Sequence, residues 1–197
     1  MSHVNMVQFE TAAGTRRRNR LSAFLRDNEG ATAVEFALIA APFLALLVGL
    51  VQVFLIFFAQ SVLQNAVRAS TRQILTGQVQ TQDASLSATA AAAAFHQIVC
   101  NNANVLFTCA GLMVDVEVAN NWSSANTAMP ALSYDGNGNV TNTWQFNPGN
   151  AGDIVVVRVM YLWPVFFGSL GFNWANQANG TREIMASAAF QNEPAVP

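Results

Sequence analysis

From Phe36 to Ala59 the chain runs for about 24 residues without a formal charge, and Gln52 is the only strongly polar side chain among them. As a helix this run is roughly 36 Å long, enough to cross a hydrocarbon core of about 30 Å. Glu35 stands at its front edge, five residues after Gly30. A carboxylate costs up to ~3 kcal/mol at full depth and less near the interface. About sixteen Leu, Ile, Val and Phe residues in the run contribute roughly 0.3–0.6 kcal/mol each. Insertion therefore wins by a few kcal/mol, and anchoring alone gives Glu35 no role.

The flanks orient the segment. The chain has no Lys, and Arg16, Arg17, Arg18, Arg20 and Arg26 lie just before the run, against Glu10, Asp27 and Glu29. The remaining arginines are outnumbered by acids after it. The positive-inside rule places the N-terminus in the cytoplasm and the C-terminal part outside. A formal net charge of −2 recommends no nucleic acid as partner. A cleaved secretory signal is a poor fit, because its apolar region is only ~7–15 residues and ends in small residues. Here the run ends in Phe57-Phe58-Ala59-Gln60.

The 197 residues allow one membrane helix and one modest outer domain. The expected division is a cytoplasmic leader at 1–30, a transmembrane helix at 31–59 and an α+β domain at 60–197. Asp27-Asn28-Glu29-Gly30 is expected to interrupt any helix before the span. Pro42 removes a backbone hydrogen bond inside it, so a kink is expected at Leu38 to Pro42. Leu63, Ala66, Val67, Ser70 and Ile74 share a face at helical spacing, with Gln64, Asn65, Arg68 and Arg72 opposite, and predict a continuing helix over 60–76. Gly77 is its natural stop. Asp83 predicts the cap of a second helix at 84–99.

From Leu112 the period becomes two. Val114, Val116 and Val118 alternate with Asp115 and Glu117, which reads as a half-buried strand. Tyr134 to Val140 reads as a hairpin turn with short edge strands. Asp153 to Trp163 is apolar on both faces except for Arg158 and is predicted to be the central strand; Ile184 to Phe190 is the last. The aromatic stretch 165–180 is expected near the membrane surface or under another subunit. The fold class is α+β: a long N-terminal transmembrane helix continuing into a small domain with an antiparallel sheet over 112–191.

Little in the chain promises chemistry. No His, Cys or acid grouping has zinc-ligand spacing, and no nucleophile elbow, phosphate loop or dinucleotide fingerprint is present. His96 reads as a surface or partly packed residue. Asp135-x-Asn137-x-Asn139 has the start of a calcium loop, but Val140 and Phe146 stand where that loop needs Gly and Glu, so a plain turn is expected. No enzyme activity, cofactor, metal or small-molecule substrate is expected. Cys100 and Cys109 fall on the outer side, where a disulfide is permitted and could contribute ~2–3 kcal/mol; two free thiols are the alternative.

Gly30-Ala31-Thr32-Ala33-Val34-Glu35-Phe36, preceded by arginines and followed by the apolar helix, resembles a type IV prepilin cleavage region. More specifically, G-A-T-A-V-E-F-A-L-I-A-A-P-F-L resembles the start of TadE-like proteins, minor pilin-like components (pseudopilins) of the tight-adherence (Flp/Tad) pilus system. The likeness extends to Arg68 and Arg72, to Asp153–Val159, to Tyr161 with Trp163-Pro164, and to Gln191-Asn192-Glu193-Pro194, but covers little of 80–150. The resemblance implies cleavage between Gly30 and Ala31 by a prepilin peptidase. It implies a subunit-register role for Glu35 and Phe36, partners among other pilin and pilin-like subunits, and residence in the bacterial inner membrane with the outer domain periplasmic. The alternative is an uncleaved envelope anchor that binds pilus or secretion machinery through its outer domain.

Overall fold

The computed structural model describes residues 29–166 and 173–194. The arginine cluster and all but the last two residues of the leader lie outside these, as do Phe167 and Phe172 of the aromatic stretch. By its contacts the chain divides into two units, residues 1–47 and 48–197.

Helix α1 covers Glu29–Leu75 and contains Pro42. Glu29 and Gly30 are therefore helical, not a break before the span. Gly30 here meets no tertiary neighbour that would oppose the helix, since a Cβ on it would have nothing within 4 Å. The regular bond from the Leu38 carbonyl is missing at Pro42, which has no N–H.

In the second unit α1 buries a single stripe. Ile56, Ala59, Leu63, Ala66, Val67, Ser70 and Ile74 are buried, and Asn65, Arg68 and Arg72 are exposed. Steps of three and four residues put the buried set on one face of a 3.6-residue helix. Ser70 turns its hydroxyl back to the Ala66 carbonyl at 2.8 Å, so its burial leaves no orphan donor. Gly77 ends the run in the left-handed region at φ 72°, a conformation that costs glycine little.

A short helix, α2 (Gln78–Gln82), follows at once, and Asp83 closes it by donating its amide to the Val79 carbonyl at 2.9 Å. Asp83 therefore does not cap the next helix. That helix, α3, is Ala88–Ala103 instead of 84–99, and Ser87 caps it by accepting from the Ala90 amide. Its buried face, Ala91, Phe95, Val99, Cys100 and Ala103, explains why it runs a turn beyond Val99. Cys100 is joined by a disulfide to Cys109, with Cα atoms 5.3 Å apart. The bond ties the last turn of α3 to the 3-10 turn Cys109–Gly111 that leads into the sheet.

The sheet has three antiparallel strands, β1 (Met113–Ala119), β2 (Ile154–Pro164) and β3 (Thr181–Gln191), in the order β1-β2-β3. The strand with two apolar faces is central, as its sequence predicts. One sheet face carries Val116, Val155, Val157, Val159, Trp163, Ile184 and Ala186, in one hydrophobic cluster with the stripe of α1 and with Phe95 and Val99 of α3. The architecture is thus α+β, with two helices on one face of the sheet.

The opposite face is polar at its centre. Asp115, Arg158 and Ser187 stand in register across the three strands. Arg158 donates Nε and Nη2 to Asp115 Oδ2 at 3.0 and 2.5 Å, Nη2 also reaches Glu117, and Nη1 donates to the Asn126 carbonyl. Asp115 Oδ1 accepts from the Gln145 amide at 2.8 Å. This buried pair holds both ends of the 120–150 connection over the sheet.

The predicted hairpin at Tyr134 to Val140 is reduced to a single antiparallel bridge, with no edge strands. Its flanks are too polar to bury a strand, and Asp135 holds the turn by accepting from the amides of Asn137 and Asn139 and from the Asn139 side chain. Residues 145–147 do what the hairpin does not. Val116 donates to the Gln145 carbonyl and accepts from the Asn147 amide, both at 2.9 Å, so this segment covers the free edge of β1.

Arg158→Leu leaves Asp115 buried without its cation and is expected to lower stability by about 3–5 kcal/mol. Arg158→Leu with Asp115→Leu should recover most of that loss. Urea unfolding of the full chain in detergent, followed by tryptophan fluorescence, measures both.

Candidate functional site: the exposed apolar surface of the long helix

Among the described residues nothing covers the side chains of the N-terminal part of α1. Val34, Phe36, Leu38, Ile39, Phe43 and Leu44 are each more than half exposed, and Phe36 reaches 74%. Exposed large apolar residues recur as far as Phe57 and Phe58, with Phe54 and Phe58 stacked at 6.1 Å between ring centroids. No formal charge interrupts the helix between Glu35 and Arg68. A continuous apolar surface of this kind is unstable in water and calls for lipid or another apolar helix. One helix in the described residues, Thr32–Leu75, is long and apolar enough to cross a membrane.

Gly30 and Glu35 lie exposed in the first turns of α1, and the backbone of Ala31 is part of the same helix. Phe36 follows Glu35 onto the apolar surface. Pro42 is exposed within it. The cysteines lie in the second unit. Gln52 is the exception inside the run: it is buried, and neither its amide oxygen nor its nitrogen has a hydrogen-bond partner.

Among the described residues no group of three or more His, Cys, Asp or Glu side chains could hold a metal ion. The Asp135 turn uses both carboxylate oxygens on its own amides, and those bonds hold its pKa below the ordinary value. His96 is half-buried, with Nε2 3.1 Å from the Leu112 carbonyl.

One polar site was not legible in the sequence. Glu183, near the start of β3, is buried, with Oε2 accepting from Gln177 Nε2 at 2.6 Å and Oε1 without a partner. Gln177 in turn accepts from the Tyr134 hydroxyl at 2.9 Å. Burial raises the Glu183 pKa. Tyr134 is raised too, first by burial and then by the Glu183 charge. The only signal in the chain is an acid in an otherwise apolar and small alternating strand. Its burial depends on Tyr134 and Gln177, which are remote in sequence.

Among the described residues, one helix is thus long and apolar enough to cross a membrane, and its later turns contribute to the core of an α+β domain. Residues 30–72 match the family model of TadE-like proteins, which bears out the resemblance read from the sequence. The matched region begins at Gly30, ends at Arg72 and lies wholly within α1. The match covers 43 of the 197 residues, 72 − 30 + 1. No curated protein and no solved structure matches the chain.

The buried Glu183 yields a pH dependence of known sign. Its folded pKa lies above the unfolded value of about 4.3, so its contribution is fully present below that value and is lost as pH rises through the folded pKa. Glu183→Gln is therefore expected to be more stable than the parent at pH 7.5, with the gap closing by about pH 4. Urea midpoints at the two pH values check this, and a gap independent of pH would remove the ionisation as its cause.

Proposed function

We propose that this chain is a minor pilin or pilin-like assembly component of a Tad-type pilus, which primes, caps or decorates the filament for surface adhesion. The observation that carries the reading is the position of Glu35: a lone exposed carboxylate at the head of an uncovered apolar helix, in the stretch that matches TadE-like proteins. In this reading the chain waits in the bacterial inner membrane, N-terminus cytoplasmic and head periplasmic. The arginines before the span support that orientation.

Cleavage by a prepilin peptidase after Gly30 releases a new ammonium at Ala31. That group lies about four helical residues, or roughly 6 Å of rise, from Glu35. Within one chain the two sit one turn apart; between neighbouring chains, a small axial stagger brings Glu35 of one to the ammonium of the next. A lone carboxylate in an apolar bundle is costly, and an opposite charge offsets much of that cost. The pair then selects one axial register among many that apolar packing alone leaves nearly equal. Phe36, beside Glu35, supplies contact area at the same level. Gly30 assists the peptidase by weakening the helix locally, by about 1 kcal/mol relative to alanine.

Two measurements test the proposal. In cells that have the peptidase, N-terminal sequencing of the membrane protein is expected to find Ala31, and Gly30→Val should leave the precursor longer by its leader. An intact leader in the wild type would return the uncleaved anchor to first place.

Glu35→Gln is expected to insert and be cut normally but to remain in the membrane fraction, without co-assembling with pilus subunits. A helix-capping role alone would cost only a few tenths of a kcal/mol and leave assembly unchanged. Normal pili with Glu35→Gln as the only copy would show that the carboxylate does not set the register.

A further inference from the structure

Within the second unit, α1 and β3 border a groove of about 400 Å³. Val53 and Phe57 of α1, with Met129 and Ile184, form apolar walls, and Trp174 and Arg182 stand among the lining residues. Such a volume lies within the ~300–1,000 Å³ range of small-molecule sites. We infer that this groove holds the headgroup end of a membrane glycerophospholipid, with its phosphate on Arg182 and the first acyl carbons against Val53, Phe57 and Met129. The inference rests on the reading of α1 as a membrane span.

Depth is the first argument. Counting from Glu35, the about 22 helical residues to Phe57 rise through roughly 33 Å, close to one hydrocarbon thickness. The groove therefore opens at headgroup level. Phe57 is 68% exposed, so its ring belongs both to the lipid-facing surface and to the groove wall. The two surfaces are continuous, and an acyl chain can pass from one to the other without crossing water.

Charge is the second. Arg182 stands opposite Trp163 in the β2–β3 register, and alternation puts it on the sheet face that bears Ile184 and Ala186, the face toward α1. Its Nη1 donates to the Trp174 carbonyl at 3.0 Å, and among the described residues it forms no salt bridge. The remaining donors of a guanidinium suit phosphate oxygens, in the forked geometry that favours arginine over lysine. Trp174, 39% exposed, adds the amphipathic ring typical of the interface. Glu183 also borders the groove, with Oε2 held by Gln177 Nε2 at 2.6 Å.

The experiment uses the full chain in vesicles of phosphatidylethanolamine and phosphatidylglycerol. Resistance to carbonate extraction reports insertion, and native mass spectrometry after transfer to mild detergent reports retained lipid. The wild type is expected to resist carbonate and to retain one phospholipid. Arg182→Gln should resist carbonate equally but retain lipid roughly tenfold less, with Arg182→Lys between the two. Met129→Trp, which fills the apolar part, should also lose retention. A photo-crosslinking side chain at Met129 should capture lipid. Equal retention by wild type and Arg182→Gln, or capture of a second protein chain at Met129 in place of lipid, would overturn the assignment. Release of the wild type by carbonate would instead overturn the membrane reading, and the groove proposal with it.

Discussion

The stripe from Ile56 to Ile74 on α1 is the contact on which the second unit depends. Three strands cannot bury both faces among themselves, and β2 is apolar on both but for Arg158. On one face Val155, Val157 and Val159 close against the α1 stripe and the Phe95 face of α3. Leu63, Val67 and Ile74 are buried as completely as any residue of the sheet. The same helix thus serves two environments. Its early turns keep apolar side chains uncovered, and its later turns spend theirs on a protein core.

The other sheet face is organised by a charge pair instead of by apolar contact. Arg158 and Asp115 are both buried, and each has a further bond that fastens a loop segment: Arg158 to the Asn126 carbonyl, Asp115 to the Gln145 amide. A buried ion pair is a weak source of stability but a strong source of geometry. Here it places residues 145–147 along the edge of β1, where Phe146 also reaches the ring of Phe95 at 5.5 Å between centroids. The edge of β3 is closed differently: Gln60 of α1 donates to the Met185 carbonyl at 2.6 Å, and Asn176 bonds the Glu183 backbone on both sides. Both edges that could recruit stray strands are occupied over part of their length.

The described residues divide the polar features of the chain into three kinds. Arg158 and Asp115 are paired and structural. Glu183 and Gln52 are buried with at least one unpartnered atom, the condition in which a side chain either tolerates strain or awaits a ligand. Glu35 and Arg182 belong to neither kind: Glu35 is exposed, and Arg182 donates Nη1 to the Trp174 carbonyl and forms no salt bridge among the described residues.

Much of this was legible in the residues alone. The uncharged run, the α1 stripe, the alternation of Val114, Val116 and Val118, and the doubly apolar β2 are local periodicities, and burial of whole faces enforces them. The Gly30–Glu35 stretch was also legible, because it depends on neighbouring residue types and not on folding. Only the tertiary structure decided the rest. Asp83 and Ser87 are both good caps, and the choice between them turned on Asp83 already closing α2. Tyr134 to Val140 has good turn chemistry, yet residues 145–147, with no strand signal of their own, took the sheet edge because Arg158 and Asp115 anchor them there. Arg182, Trp174 and Glu183 came to line one groove only when β3 was set beside α1. In each case the deciding contact joins residues far apart in the chain, and no local pattern encodes which distant partner will be nearest.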